Sequence, residues 1–70
     1  MLTIRLRLNE VLQVKHVSQR QLAELTGLRP ATIHALCHNQ VSRVYLQTLA
    51  VICEVLELEL SDIMVMQPSG

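Results

Sequence analysis

The spacing of apolar positions changes along the chain, and each spacing predicts a different element. Apolar residues alternate with polar ones from Leu2 to Leu8, which is the pattern of a half-buried strand. Beyond it the spacing becomes three or four residues, as in amphipathic helices. One helix is predicted from about 8 to 15, with inward residues Leu8, Val11, Leu12 and Val14. Another is predicted from about 46 to 56, with an apolar stripe of Leu46, Leu49, Ile52, Cys53 and Leu56.

The stretch from Ser18 to Asn39 predicts two short helices joined by a tight turn. Ser18 and Gln21 have the spacing of a capping box, in which each side chain bonds the backbone N–H of the other residue. Gly27 is placed to end the first helix, because it adopts positive φ without a Cβ clash. Pro30 is suited to open the second helix, where its missing N–H costs nothing. Asn39 is expected to follow that helix in a left-handed conformation.

The helical spacing gives these two helices an inner and an outer face. The inner face is predicted to contain Leu22, Leu25, Leu28, Ile33 and Leu36, with Ala23 small enough for the helices to cross closely. The outer face is predicted to contain Arg29, Ala31, His34, Ala35 and His38. A short helix that presents small residues, an Arg and imidazoles is shaped to enter a DNA major groove. The pattern alone leaves open a helical hairpin that only fills a small core.

Several of these positions together carry a family resemblance. They are Gln19, Leu22, Ala23, Gly27, Ile33, Leu49 and the Leu-Ser-Asp-Ile segment at 60–63. From about Leu8 to Met64 the chain resembles the lambda-repressor-like, Cro/cI-type (XRE) helix-turn-helix family of transcriptional regulators. The resemblance implies an all-α fold, a compact bundle of about five helices, for a single domain at 1–70 with its motif at about 19–38. It also implies operator binding as a dimer, with the third helix reading bases.

The sequence departs from the family pattern at three helix ends. His16 stands where the family more often has Gly, so a non-Gly residue is expected there in a left-handed conformation. Tyr45 replaces the usual Ser, Thr or Asp cap of the fourth helix. Glu57 replaces the usual Gly after that helix, at about 1 kcal/mol if it is left-handed. These departures weaken helix ends more than the fold.

The two ends of the chain carry a separate prediction. Ser61 is expected to cap a final helical turn that closes with Ile63. The apolar run at 64–66 is then predicted to lie antiparallel to residues 2–6, giving a short β-ribbon that helps a dimer close. A disordered tail is the open alternative, because short apolar runs are ambiguous.

Composition and charge limit the partners. The 70 residues suit one small domain, and half of them are hydrophobic with Tyr45 as the one aromatic residue, so a homodimer is expected to cover excess apolar surface. The formal charge of zero argues against nucleic-acid binding. The distribution of charge along the chain weakens this argument. Residues 15–43 hold four cations and one carboxylate, whereas residues 44–70 hold four carboxylates and no Lys or Arg.

Other chemistries find less support. His34 and His38 have the i, i+4 spacing of a zinc pair, but no third ligand lies nearby and Cys37 should point elsewhere, so no metal is expected. Cys37 and Cys53 suggest reduced, mostly buried thiols rather than a disulfide framework. No phosphate loop, nucleophile elbow or paired carboxylate indicates an enzyme or a cofactor. No segment has the length of a membrane span or the pattern of a signal peptide, so a soluble cytoplasmic protein is expected.

The function predicted is sequence-specific binding of double-stranded DNA by a small dimeric repressor-type regulator. The residues expected at the DNA are Gln19, Arg29, Pro30, Ala31, Thr32, His34, Ala35, His38, Ser42 and Arg43. Arg29 is the best candidate to read guanine, and phosphate contacts are expected from Gln19, Thr32, Ser42 and Arg43. The alternative is a protein-interaction module such as an antitoxin or another partner-binding subunit. A purely structural oligomer is a third class.

Overall fold

The computed structural model describes residues 1–68 as five helices between two terminal strands. In chain order the elements are β1 (Leu2–Leu6), α1 (Leu8–Lys15), α2 (Gln19–Thr26), α3 (Pro30–Cys37), α4 (Leu46–Leu56), α5 (Leu60–Ile63) and β2 (Met64–Pro68). The predicted five-helix architecture is therefore confirmed, with helix bounds close to those expected from the apolar spacing. Within the described residues, no helix is long and apolar enough to cross a bilayer.

The two strands form the antiparallel ribbon that the alternation at the N-terminus and the apolar run at the C-terminus predicted. The pairs run from Leu2 opposite Pro68 to Leu6 opposite Met64. Leu6 is buried and Met64 packs against the core, so this end of the ribbon is anchored to the helices. The ribbon is thus tied to the bundle at one end, and the tail alternative is wrong for residues 64–68.

The helix ends before α5 follow the predictions. The Gln21 N–H donates to the Ser18 hydroxyl at 3.0 Å, and the Ser18 N–H donates to Gln21 Oε1 at 2.8 Å, which confirms the capping box. Gly27 ends α2 at φ +74°. The expected left-handed residues are confirmed at His16, Asn39 and Glu57, with φ of 58°, 57° and 55°.

One buried cluster joins all five helices and the base of the ribbon. Its members are Leu6, Leu8, Leu12, Leu22, Ala23, Ile33, Leu36, Cys37, Leu49, Ile52, Leu56 and Ile63. Cys53 is only partly buried. The two cysteines are free thiols, and burial raises the pKa of both, with Asp62 adding to the effect at Cys53.

Three residues predicted to face inward are exposed instead. Val14 lies on the far side of α1 from Leu8, because six residues at about 100° each amount to about 240° around the axis. Leu25 lies well off the side of α2 that Leu22 and Ala23 bury, and the side chain is 60% exposed. Leu46 begins α4, beyond the reach of the core, and is 81% exposed.

The cap predicted for α5 was placed two residues too late. The N-cap is Glu59, and Ser61 is the second residue inside the helix. The Glu59 N–H donates to Asp62 Oδ2 at 2.9 Å, so Asp62 satisfies the N-cap backbone from the third helical position. A carboxylate at this position also favours the positive end of the helix dipole.

Candidate nucleic-acid interface

The turn between α2 and α3 sets the direction in which α3 leaves the bundle. The Gly27 N–H donates to the Ala23 carbonyl at 2.9 Å, which closes α2. The Thr26 hydroxyl donates to the Leu22 carbonyl at 2.7 Å and accepts from the Leu28 N–H at 3.2 Å. This hydroxyl therefore joins the last turn of α2 to the connecting loop. Sequence reasoning missed this role of Thr26.

Helix α3 is anchored by one side and open on the other. Ile33, Leu36 and Cys37 are at most 6% exposed and face the core. Arg29 precedes the helix in an extended conformation, and its side chain is exposed together with that of Ala31. The predicted division of this helix into a packed side and a free side therefore holds.

The predicted contact residues fall into two classes of exposure. The exposed ones are Arg29, Pro30, Ala31, His34, His38, Ser42 and Arg43. The partly exposed ones are Gln19, Thr32 and Ala35. None of the ten is buried in the subunit. They come from the start of α2, α3 with the residues at its two ends, and the loop that follows it.

The two histidines of α3 lie against each other. The ring centroids of His34 and His38 are 4.2 Å apart and the rings are tilted by 46°. Cys37 is buried and does not join them. Among residues 1–68, no group of three potential metal ligands is present. Two imidazole rings therefore lie against each other on the exposed side of α3.

The charges near α3 are less compensated than those near the ribbon. Arg29 and Arg43 have no ion pair within residues 1–68, and Arg20 only approaches Glu24 at 3.6 Å. By contrast, Glu10 accepts from Arg5 at 2.7 Å and from Arg7 at 3.0 Å. These two hydrogen bonds hold the pKa of Glu10 below its ordinary value. Two exposed guanidinium groups therefore remain free around α3 to meet an anion.

Asn39 connects the end of α3 to the ribbon, which sequence reasoning also missed. The Leu6 N–H donates to Asn39 Oδ1 at 2.7 Å, and Asn39 Nδ2 donates to the Leu6 carbonyl at 3.0 Å. The left-handed backbone of Asn39 was predicted, but its partner is 33 residues away in the chain. No local signal reveals such a contact, because only the fold brings β1 beside this loop.

The sequence also matches a known protein family. A family model described as the Cro/C1-type HTH DNA-binding domain matches residues 7–69. The chain therefore belongs to the Cro/C1-type helix-turn-helix DNA-binding domain family. No curated protein matches the chain.

Two solved structures share the fold. One is described as a candidate DNA-binding protein from Bacteroides fragilis; it is 28% identical, with a TM-score of 0.79, over 90% of this chain and 100% of that one. The other is described as the transcriptional regulator VanUg; it is 25% identical, with a TM-score of 0.78, over 97% of this chain and 89% of that one.

Proposed function

We propose that this protein is a small dimeric transcriptional regulator of the repressor type that inserts α3 into the major groove of a palindromic DNA site. The observation that carries the proposal is the two-sided character of α3. Ile33 and Leu36 fix the helix to the core, while Arg29 and Ala31 project from it without a partner in the described residues. The B-DNA major groove admits a helix of this kind.

The exposed side of α3 offers groups suited to base edges. Arg29 can present two parallel N–H donors to O6 and N7 of guanine, the commonest specific contact in such complexes. Ala31 and Ala35 are small and apolar, which suits thymine methyl groups. His34 and His38 extend this surface towards further bases or the backbone.

The surroundings of α3 offer groups suited to phosphates. Gln19 begins α2, where unpaired backbone N–H groups favour an anion. Thr32, Ser42 and Arg43 supply two hydroxyls and a guanidinium beside the helix. Such contacts hold the register of the protein on the duplex without reading sequence. The ring of Pro30, at the first position of α3, would contact the groove wall by packing alone.

The test is a titration of duplex DNA at low salt, with matched variants. A pool of random duplexes, enriched on the protein, supplies the preferred site. We expect Arg29→Ala to weaken binding to that site by about 1–3 kcal/mol and to relax the base preference at one position of each half-site. Lys15→Ala removes the same charge from α1, where Lys15 lines a groove with Leu58 and Ser61, and should leave the base preference intact. Unchanged affinity and preference for Arg29→Ala would remove Arg29 as base reader.

A second candidate is a protein-interaction module, favoured by exposed apolar side chains at the start of α4. Tyr45 and Leu46 are adjacent and both 81% exposed. Apolar surface of this kind often marks a protein partner's site. Absence of any duplex binding at about 50 mM salt would reject the DNA proposal and favour this one, since the phosphate contribution is strong at that ionic strength.

A further inference from the structure

The direction of the backbone groups of β1 follows from three hydrogen bonds. In an antiparallel pair, opposite residues alternate between those that exchange backbone hydrogen bonds and those that do not. The Arg7 N–H donates to the Ile63 carbonyl at 2.8 Å, so Arg7 lies in a bonded position. The neighbouring pair of Leu6 and Met64 is unbonded, because the Leu6 N–H donates to Asn39 and the Met64 N–H donates back into α5.

The same alternation leaves two residues of β1 with free backbone groups. Ile4 and Leu2 lie two and four positions before Leu6, so their N–H and C=O groups also point away from β2. No other group within residues 1–68 accepts from or donates to them. Pro68 lies opposite Leu2, where a strand residue needs no N–H towards β1. The outer edge of β1 is therefore an open row of donors and acceptors.

Asn39 sets the length of this open edge. Its amide accepts from and donates to the backbone of Leu6, as a residue of a neighbouring strand would. A third strand can thus pair only with Leu2 and Ile4. The outer edge of β2 is poorer, because Pro68 has no N–H and that of Met64 is already used. Of the two edges, β1 therefore has the longer row of open donors and acceptors.

We propose that the occupant of this edge is β1 of a second copy of the chain, paired antiparallel across a two-fold axis. Leu2 of each copy then lies opposite Ile4 of the other, giving four N–H···O bonds, and the two Thr3 residues face each other at the axis. Placing Ile4 opposite Ile4 would bring Leu2 against Leu6, whose groups Asn39 already holds. The Asn39 amide therefore selects the register.

Side chains on the ribbon suit a second copy. Leu2, Ile4 and Met66 share one face of the ribbon and are 60%, 57% and 60% exposed. Pairing two ribbons places each apolar face beside its equivalent, so the edge is self-complementary. Arg5, on the opposite face of the ribbon, is held by Glu10 at 2.7 Å, so its charge is already compensated within one copy.

A groove lies beside β1. A groove of about 870 Å³ runs between β1 and the loop after α3, with Val41, Ser42, Arg43 and Val44 on its far side. The loop joins the groove to the end of the proposed DNA-reading helix. Asn39, just after α3, is bonded to Leu6 of β1. A dimer that pairs the two β1 strands would therefore fix the position of one α3 helix relative to the other.

This inference names the interface of the dimer proposed above, and its biological meaning rests on that function. The association itself needs no DNA. Because only four backbone hydrogen bonds and a small apolar area are involved, we expect a weak dimer with a dissociation constant in the micromolar range. Sedimentation velocity over a dilution series measures it directly.

Two proline variants on the same rung of the ribbon test which edge is used. Ile4→Pro removes an N–H that points out from β1, and Met66→Pro removes one that points out from β2. Neither takes a hydrogen bond from the ribbon. We expect Ile4→Pro to raise the dimer dissociation constant at least about tenfold and Met66→Pro to leave it near that of the wild type. Wild-type protein that stays monomeric at about 1 mM, or equal effects of the two prolines, would overturn the proposal.

A disulfide tests the register independently of any loss of stability. Residues opposite each other in a non-hydrogen-bonded pair have Cα atoms about 4.5 Å apart, a separation that a disulfide spans. Thr3→Cys should therefore form a covalent dimer on mild oxidation. Gln67→Cys lies on the same ribbon face but on β2, and it should remain monomeric on a non-reducing gel, as should the wild type. Failure of Thr3→Cys to cross-link, or equal cross-linking by Gln67→Cys, contradicts the proposed pairing.

The outcome is separable from that of the DNA proposal. A folded Ile4→Pro monomer should still bind a duplex that contains one half-site, with the Arg29 dependence unchanged. Dimerisation without any duplex binding would reject the DNA function and keep the interface. Duplex binding by a protein whose wild type never dimerises would reject the interface and keep the DNA function.

Discussion

At the residue scale, two side chains each form hydrogen bonds with two backbone groups and so connect neighbouring elements. Asn39 bonds both the N–H and the C=O of Leu6. Thr26 bonds the Leu22 carbonyl at the end of α2 and the Leu28 N–H in the loop before α3. Leaving a part-buried backbone group without its partner costs more than the net gain from an average hydrogen bond. Changes at these residues should thus act on stability without touching the outer side of α3.

Asn39→Asp is predicted to destabilise the domain in a pH-dependent way. The carboxylate keeps an acceptor for the Leu6 N–H but turns an oxygen towards the Leu6 carbonyl, where the amide donated. We expect a loss of about 1–3 kcal/mol in the free energy of unfolding at pH 7. This loss of unfolding free energy should become smaller at acidic pH, because a protonated carboxyl group can donate to the Leu6 carbonyl as the amide does. Chemical denaturation measures it, with Gln40→Glu as a control of equal charge change.

Glu10→Gln tests the two Arg contacts at the base of β1. Since the pKa of Glu10 is lowered in the folded protein, its contribution to stability is present above its ordinary value of about 4.5. That contribution is lost as the pH falls through the lowered folded pKa. The variant should therefore be less stable than the wild type near pH 7 and equal to it in strong acid. Thermal melts across pH measure the difference, and a constant difference at all pH values contradicts the assignment.

At the element scale, short helices depend on their first and last residues. Helices α1, α2 and α3 have eight residues each, too few to be stable in isolation. Their ends were largely predictable, because a capping box, a glycine and an N-terminal proline act through neighbouring residues. The exception is α5, where a carboxylate pair at Glu59 and Asp62 replaces the expected Ser61 cap.

Ser18→Ala and Ser61→Ala form a matched pair that tests this assignment. Ser18→Ala removes the acceptor for the Gln21 N–H and should lower the free energy of unfolding by about 0.5–2 kcal/mol. Ser61 is exposed inside α5, and its replacement should change stability by at most about 0.5 kcal/mol. Urea titrations at neutral pH measure both. A larger loss for Ser61→Ala would restore Ser61 as the cap.

At the scale of the whole molecule, charge and apolar surface are distributed unevenly. Arg29 and Arg43, which have no ion pair among residues 1–68, lie near α3, while the sequence from 44 to 70 carries four carboxylates and no Lys or Arg. The zero net charge therefore conceals a polarised surface, which can still steer one side of the molecule towards an anionic partner.

Arg43→Gln is predicted to change the salt dependence of DNA binding rather than its sequence preference. If Arg43 meets a phosphate, the slope of log affinity against log salt should fall by about 1 for each copy of the protein bound. Fluorescence anisotropy at several salt concentrations measures the slope. The same change at Arg20, which already approaches Glu24, should have a smaller effect. An unchanged slope for Arg43→Gln would remove it from the proposed phosphate contacts.

The sequence by itself determined the features that depend on neighbours within a few residues. These include the bounds of α1 to α4, the left-handed residues, the alternating pattern of β1 and the free side of α3, because propensity, caps and apolar period act over that range. The tertiary structure alone decided which apolar residues are covered, so that Leu25 and Leu46 are exposed although the period favoured burial. It also decided that Asn39 meets Leu6, since two residues 33 positions apart become neighbours only when the ribbon packs beside α3.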